Sequence, residues 1–177
     1  MHRLLKIWIL TLRNIYKPLV LAVFCLCTIA ASGQEFSLEA KSDTLYHLVM
    51  TSGRSVDRWE LRGRVLRLAT GDVDGDGSTD AIVVIERRTR YDRRLLPRLW
   101  LFRNVRGYIR PLWLGSQLGG ILVDARFSRG QVCSLQKTTD ERYVAMTHRW
   151  MSFGLGADSI LVKGTDRATA EKHFLEY

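Results

Sequence analysis

One segment of the chain concentrates acidic side chains at a spacing that suits a metal ion. Residues 71–80 have the sequence GDVDGDGSTD, in which four of the ten residues are aspartate. A spacing of two brings alternate side chains to one side of a curled loop, and the inner glycines allow the backbone conformations that such a curl needs. Because Ca²⁺ takes about six to eight oxygen ligands in flexible geometry, the segment predicts a calcium site. The predicted ligands are the side chains of Asp72, Asp74, Asp76 and Asp80 and the backbone carbonyl of Ser78, with water completing the set.

Two other structures share features of this loop. An EF-hand requires a bidentate glutamate at its twelfth position, but the twelfth residue counted from Asp72 is Val83. Val83 lies in the β-branched run 81–85, and the alternating residues 65–69 predict another strand before the loop. The loop therefore joins two strands, which excludes an EF-hand. A metal-free Asp-Gly turn remains the alternative to a calcium site.

A strand, the pattern Asp-x-Asp-x-Asp-Gly-x-x-Asp and a second strand resemble the calcium loop of FG-GAP (VCBS-type) repeats. The similarity extends over residues 59–86 and includes the hairpin at 65–86. It implies Ca²⁺ bound by Asp72, Asp74, Asp76, Ser78 and Asp80. The chain carries one such loop and lacks the Phe-Gly and Gly-Ala-Pro pairs that precede it in the family, so the resemblance is to a hairpin rather than to a whole propeller. The remainder is similar to small exported proteins of the Bacteroidetes that carry a single loop of this kind.

The residues around the loop predict an all-β domain. Their composition, 46% hydrophobic and 25% charged, excludes disorder, collagen and coiled coils. Ten runs are β-branched, aromatic or alternating, and turn residues separate them. They indicate short antiparallel strands arranged as two or three propeller-blade-like sheets, or as a small sandwich or barrel. Residues 166–177 read as a short helix or a frayed tail. The predicted strands are 44–51, 56–61, 65–69, 81–86, 99–105, 108–113, 121–127, 132–136, 143–150 and 159–162.

The first 33 residues have the pattern of a secretory signal peptide. Residues 1–17 contain four basic residues and no acid, and the uncharged stretch 18–31 ends in small residues. Cleavage before Gln34 would leave a single β-rich domain, 34–177, and lower the formal charge from +9 to +5. We expect export to the periplasm, the outer surface or the medium. Membrane contact is expected only through the leader, if it is retained as an uncleaved anchor.

A second segment concentrates positive charge. Residues 87–98 contain six arginines and one aspartate. This segment predicts a contact with an acidic protein, an anionic glycan or a lipid headgroup, and no nucleic-acid-binding motif accompanies it. The alternative is a solvated loop, in which case replacing all six arginines by serine would change stability by no more than about 0.5 kcal/mol. The arginines are Arg87, Arg88, Arg90, Arg93, Arg94 and Arg98.

These features support two hypotheses about function. The first is an exported calcium-binding β module that acts in protein or glycan interaction, with calcium mainly structural. The second is a small periplasmic or surface enzyme that acts on glycans, in which Glu60, Asp124 or Glu141 would supply facing carboxylates. Known nucleophile, zinc and nucleotide motifs are missing from the sequence, which favours the first hypothesis over an enzyme.

Overall fold

A computed structural model of the 177-residue chain describes residues 35–115 and 118–177. Over these residues the fold is all-β, as predicted, with eleven antiparallel strands in three sheets and one short C-terminal helix. The leader predicted at 1–33 lies outside the described residues. Within those residues, no helix is long and apolar enough to cross a membrane. The elements are β1 (Glu35–Ser42), β2 (Leu45–Ser52), β3 (Ser55–Arg62), β4 (Arg64–Gly71), β5 (Asp80–Arg87), β6 (Leu96–Val105), β7 (Tyr108–Leu114), β8 (Ile121–Ser128), β9 (Gln131–Lys137), β10 (Tyr143–Trp150), β11 (Leu155–Thr165) and α1 (Arg167–Glu176).

Each sheet is a meander in which consecutive strands pair. The strand orders are β1-β2-β3, β4-β5-β6-β7 and β8-β9-β10-β11. Two of the connections, Arg106-Gly107 and Arg129-Gly130, have positive φ at both residues, as a type I′ hairpin turn requires. These tight turns explain the pairing of β6 with β7 and of β8 with β9, because a two-residue loop joins antiparallel neighbours.

The middle sheet packs against both of the others, and this explains the continuous apolar run in β5. Residues 81–85 are all fully buried. Val83 and Ile85 belong to the cluster shared with the first sheet, whereas Ile82 and Val84 belong to the cluster shared with the third sheet. Burial of each such side chain contributes about 1.5–3 kcal/mol. The strand that follows the acidic loop is therefore held on both faces.

All ten predicted strands are present, and one more, β1, was missed by the sequence analysis. Its charged residues obscure a weak alternation in which Phe36 is the one buried side chain. The C-terminal segment is a helix rather than a frayed tail. Asp166 caps it by accepting a hydrogen bond from the Thr169 backbone N–H at 3.0 Å, and Phe174 packs on the third sheet.

Candidate metal centre

The acidic segment forms the connection between β4 and β5. The pairing of Gly71 with Asp80 closes the hairpin, so the loop begins and ends at neighbouring points of the middle sheet. Asp72, Asp74 and Asp80 each place a carboxylate oxygen within 4.8 Å of the other two. An oxygen cluster of this size could hold a metal ion. Two of the three are partly buried and Asp80 is fully buried.

Asp80 is the least hydrated member of the cluster. Its Oδ2 accepts a hydrogen bond from the Val73 backbone N–H at 2.9 Å, but its buried Oδ1 has no hydrogen-bond partner among the described residues. Burial raises the pKa of Asp80 to about 7, and the charges of Asp74 and Asp76 add to this effect. A buried anionic oxygen without a donor is costly. A cation at this position would satisfy it.

The loop holds its shape through bonds from backbone N–H groups to aspartate side chains. Asp72 accepts from Gly75 at 2.8 Å and from Gly77 at 3.0 Å, and both glycines have positive φ. Asp74 accepts from the Asp76 N–H at 3.2 Å. Asp72 and Asp74 lie beside Asp80 in the three-carboxylate cluster, which is part of the arrangement that the spacing of two predicts.

Asp76 and Ser78 are the other two predicted ligands. Asp76 is exposed, its Oδ1 accepts from the Ser78 N–H at 2.7 Å, and it is not part of the three-carboxylate cluster. Ser78 is partly buried. Their role as ligands remains a prediction.

Arg103 is a neighbour of the cluster that the sequence analysis missed. Its Nη1 lies 3.5 Å from Oδ2 of Asp74. Arg103 follows Phe102, the residue of β6 that pairs with Ala81 beside Asp80, so the sheet register brings it to the loop. Its separation of 29 residues from Asp74 gives no local signal in the sequence.

The base of the loop is packed against the third sheet. Val73 is buried in the cluster that contains Leu122 and Val132. Gly71 lies directly against the ring of Phe127 in β8, so that a Cβ at this position would overlap the ring. The loop is therefore anchored at both ends, by Asp80 in β5 and by Gly71 and Val73 against β8.

The arginine segment, residues 87–98, is ordered around Asp92, which lies in the loop between β5 and β6. Asp92 accepts hydrogen bonds from Arg94 Nη2 at 2.9 Å and from Arg98 Nη2 at 2.7 Å, and these bonds hold the pKa of its carboxyl far below the usual range. Its backbone N–H donates to Thr89 Oγ1 at 3.0 Å. Hydrogen bonds between its own side chains and backbone therefore hold the loop in shape.

The expectation that all six arginines are exposed is wrong for Arg98. This residue is only 6% exposed, because β6 carries it into the sheet, and its buried Nε has no hydrogen-bond partner in the part of the chain that the structure describes. Arg87 is partly buried, with its guanidinium over the Trp100 ring at 4.7 Å. Arg88, Arg90, Arg93 and Arg94 are exposed.

Replacing Arg98 therefore has a structural cost that replacing an exposed arginine of the same segment does not. We expect Arg98→Ala to lower the melting temperature by at least about 3 °C, since a lost hydrogen bond to a charged group costs about 1 kcal/mol or more. Arg93→Ala is the matched control, and it should change stability by no more than about 0.5 kcal/mol. Thermal unfolding followed by circular dichroism compares the two, and equal melting temperatures would contradict a structural role for Arg98.

The acids considered for an enzyme are each engaged in an ion pair. Glu60 pairs with Arg62, Glu141 with Lys137, and Asp124 with Arg67 through two hydrogen bonds of 2.5 and 2.7 Å. They lie in β3, in the loop between β9 and β10, and in β8.

A serine and a histidine also meet in the third sheet. The Ser134 Oγ lies 2.7 Å from the His148 Nε2 and accepts a hydrogen bond from the Gln136 side chain. Ser134 is fully buried and His148 is 4% exposed, and burial lowers the pKa of His148 to about 4. The pair is a satisfied polar network of the core, because a substrate would have no access to the hydroxyl.

Comparison with protein-family models, curated proteins and solved structures finds no match for the chain.

Proposed function

We propose that the protein is an exported β module that binds one Ca²⁺ in the 72–80 loop and uses the exposed arginines of the 87–94 segment to bind an anionic partner. The observation that carries the metal site is the buried, unpartnered Oδ1 of Asp80 beside the carboxylates of Asp72 and Asp74. Calcium would stabilise the β4–β5 hairpin. The arginine segment begins at the end of β5, so β5 connects the metal site to that segment.

The donor set supports calcium over other divalent ions. All three carboxylates are hard oxygen ligands, and no histidine or cysteine belongs to the cluster within the described residues. Zinc and copper sites favour nitrogen and sulfur. Magnesium requires near-octahedral geometry and keeps several waters, whereas a glycine-containing loop adapts to the larger, more flexible calcium shell. The similarity of the Asp-x-Asp-x-Asp-Gly-x-x-Asp pattern to the FG-GAP calcium loop supports the same ion.

The charge distribution supports an anionic partner. Four arginines of the 87–94 segment are exposed, and within the described residues only Arg94 among them forms an ion pair with a carboxylate. Guanidinium groups bind phosphate, sulfate and carboxylate through paired donors. A partner outside the cell, where the signal-peptide pattern directs the protein, would be an acidic protein, an anionic glycan or a lipid headgroup.

Calcium binding is tested directly by isothermal titration of the protein after it has been stripped with EDTA. We expect a single site with a dissociation constant of about 10⁻⁴ to 10⁻³ M, the range of extracellular calcium modules. Absence of heat on titration with calcium to 10 mM, about ten times the upper estimate, would contradict the site.

Arg103 provides a second test of the metal site, because its replacement should strengthen calcium binding rather than weaken it. Its guanidinium partly neutralises Asp74 and repels an incoming cation, so Arg103→Gln should tighten calcium binding by up to about fivefold, the value of an exposed ion pair. The same change should leave the calcium-free protein equally stable or slightly less stable. Arg110→Gln, a neighbouring arginine of the same sheet that pairs with Arg103 in register, is the control. Weaker calcium binding in Arg103→Gln would show that the cation does not lie beside Asp74.

A further inference from the structure

The arginine segment closes over a cavity that the sequence did not reveal. It has a volume of about 460 Å³, within the range of small-ligand pockets, about 300–1,000 Å³. It lies where the loop between β5 and β6 meets the end of β7. The residues that line it include Arg87, Arg90, Tyr91, Arg98, Trp100 and Leu114.

The charged residues that line the cavity leave a positive excess. They are three arginines and one carboxylate, Asp92, so the lining carries a net charge of +2. Arg98 is held by Asp92, but within the described residues neither Arg87 nor Arg90 has a carboxylate at ion-pairing distance. Two guanidinium groups are thus available to one ligand.

The loop around the cavity is organised before any ligand binds. Asp92 ties Thr89, Arg94 and Arg98 together, and the Arg87 guanidinium is placed over the Trp100 ring. Positioned side chains lose less conformational entropy when they bind, which distinguishes this segment from a freely solvated charge run.

The uncharged residues of the walls are Thr89 and Gly115, the aromatic residues Tyr91 and Trp100, and Leu114. Trp100 is 9% exposed, whereas Leu114 is 47% exposed and Tyr91 is 92% exposed at the mouth. The cavity is larger than a bare tetrahedral anion, so an anion that carries an organic body of about the size of a sugar ring would fit it.

We infer that this cavity binds a phosphate monoester carried on a sugar-sized group. A phosphate monoester has a charge of about −1.5 to −2 at pH 7, which matches the +2 of the lining better than a singly charged sulfate ester or carboxylate. Arg87 and Arg90 bind its oxygens, and the organic body lies against Tyr91 and Leu114. This inference rests on the proposed function, because it names the ligand class of the arginine segment.

The test uses glucose 6-phosphate as the probe and the protein expressed from its full-length sequence. Isothermal titration should detect one site for glucose 6-phosphate and none for glucose. Arg90→Gln and Arg87→Gln should each weaken binding about tenfold or more, since each removes a hydrogen-bonding charge from the phosphate. Arg90 is exposed, so its variant folds normally even if the loss of the Arg87–Trp100 contact destabilises the other. Arg93→Gln, which removes the same charge from the segment outside the cavity lining, should leave the affinity nearly unchanged.

Two results would overturn the inference: no binding of glucose 6-phosphate to the wild-type protein, or equal weakening by Arg93→Gln, which would indicate non-specific attraction. A phosphorylated mannopentaose distinguishes the source of the monoester. Tighter binding than glucose 6-phosphate supports a glycan terminus, and weaker binding supports a free sugar phosphate. Titration of Asp80→Asn separates the two proposals: the variant should lose calcium binding and retain glucose 6-phosphate binding, whereas unchanged calcium binding would contradict only the metal site.

Discussion

Calcium at 5 mM should raise the melting temperature of the wild-type protein by about 3–8 °C, and Asp80→Asn should abolish most of that rise. A ligand that binds only the native state stabilises it by RT ln(1 + [L]/Kd), which for dissociation constants of about 10⁻⁴ to 10⁻³ M amounts to about 1–2 kcal/mol. Asparagine retains an acceptor for the Val73 N–H but removes the anionic oxygen that lacks a donor. The measurement is thermal unfolding in calcium and in EDTA.

The same prediction covers the stability of Asp80→Asn relative to the wild type in EDTA. Without calcium, Asp80→Asn should be at least as stable as the wild type, because it removes a charge that is buried beside Asp74. Asp43→Asn, in the exposed turn between β1 and β2, removes the same charge far from the loop in sequence and should keep the full calcium response. An unchanged wild-type melting temperature on adding calcium would reduce the loop to a metal-free Asp-Gly turn.

Asp76→Ala tests whether the loop closes further around the ion. Asp76 is exposed and bonded to the Ser78 N–H, outside the cluster of three carboxylates. If it turns inward as the third side-chain ligand that the spacing predicts, its removal also abolishes most of the calcium response. A calcium response equal to that of the wild type would limit the side-chain ligands to Asp72, Asp74 and Asp80.

The strands and the acidic loop were predictable because their signals are local. Alternation and β-branched runs depend on neighbours in the sequence, and the carboxylate spacing depends on a single loop. β1 was missed because only one of its residues, Phe36, is buried. Phe36 packs in the cluster between the first and middle sheets, and that contact leaves no local pattern in the sequence. The fold class follows from periodicity, whereas the layering of three sheets follows from contacts between distant strands.

The residues around the metal site were not predictable, because they also depend on contacts between strands that are distant in the sequence. Arg103 reaches Asp74 only through the register of β5 and β6. The composition of residues 87–98 does not distinguish Arg98 from the other arginines. In the structure Arg98 is buried because it lies in β6, whereas the arginines of the preceding loop are exposed. A charge run that crosses from a loop into a strand divides into surface and core residues, and only the position of the strand boundary decides which residues are which.

Gly71→Ala should be the most destabilising single change near the loop. We expect a loss of about 2–3 kcal/mol, or about 6–12 °C in melting temperature, because the added methyl group would overlap the Phe127 ring. The ring cannot simply move away, since it packs on the cluster shared by the middle and third sheets. Thermal unfolding in EDTA measures the effect without a contribution from calcium.

Two variants separate this packing effect from a general intolerance of alanine. Gly119→Ala adds the same methyl group at a position where no atom of the described residues beyond its chain neighbours lies within 4 Å of the new Cβ, and it should be nearly neutral. In a Phe127→Leu background the smaller side chain leaves room, so the cost of Gly71→Ala should fall, giving a coupling energy of about 1 kcal/mol or more between the two sites. An equal cost in both backgrounds would show that the strain lies in the β4 backbone, and that the contact with β8 does not hold the loop in place.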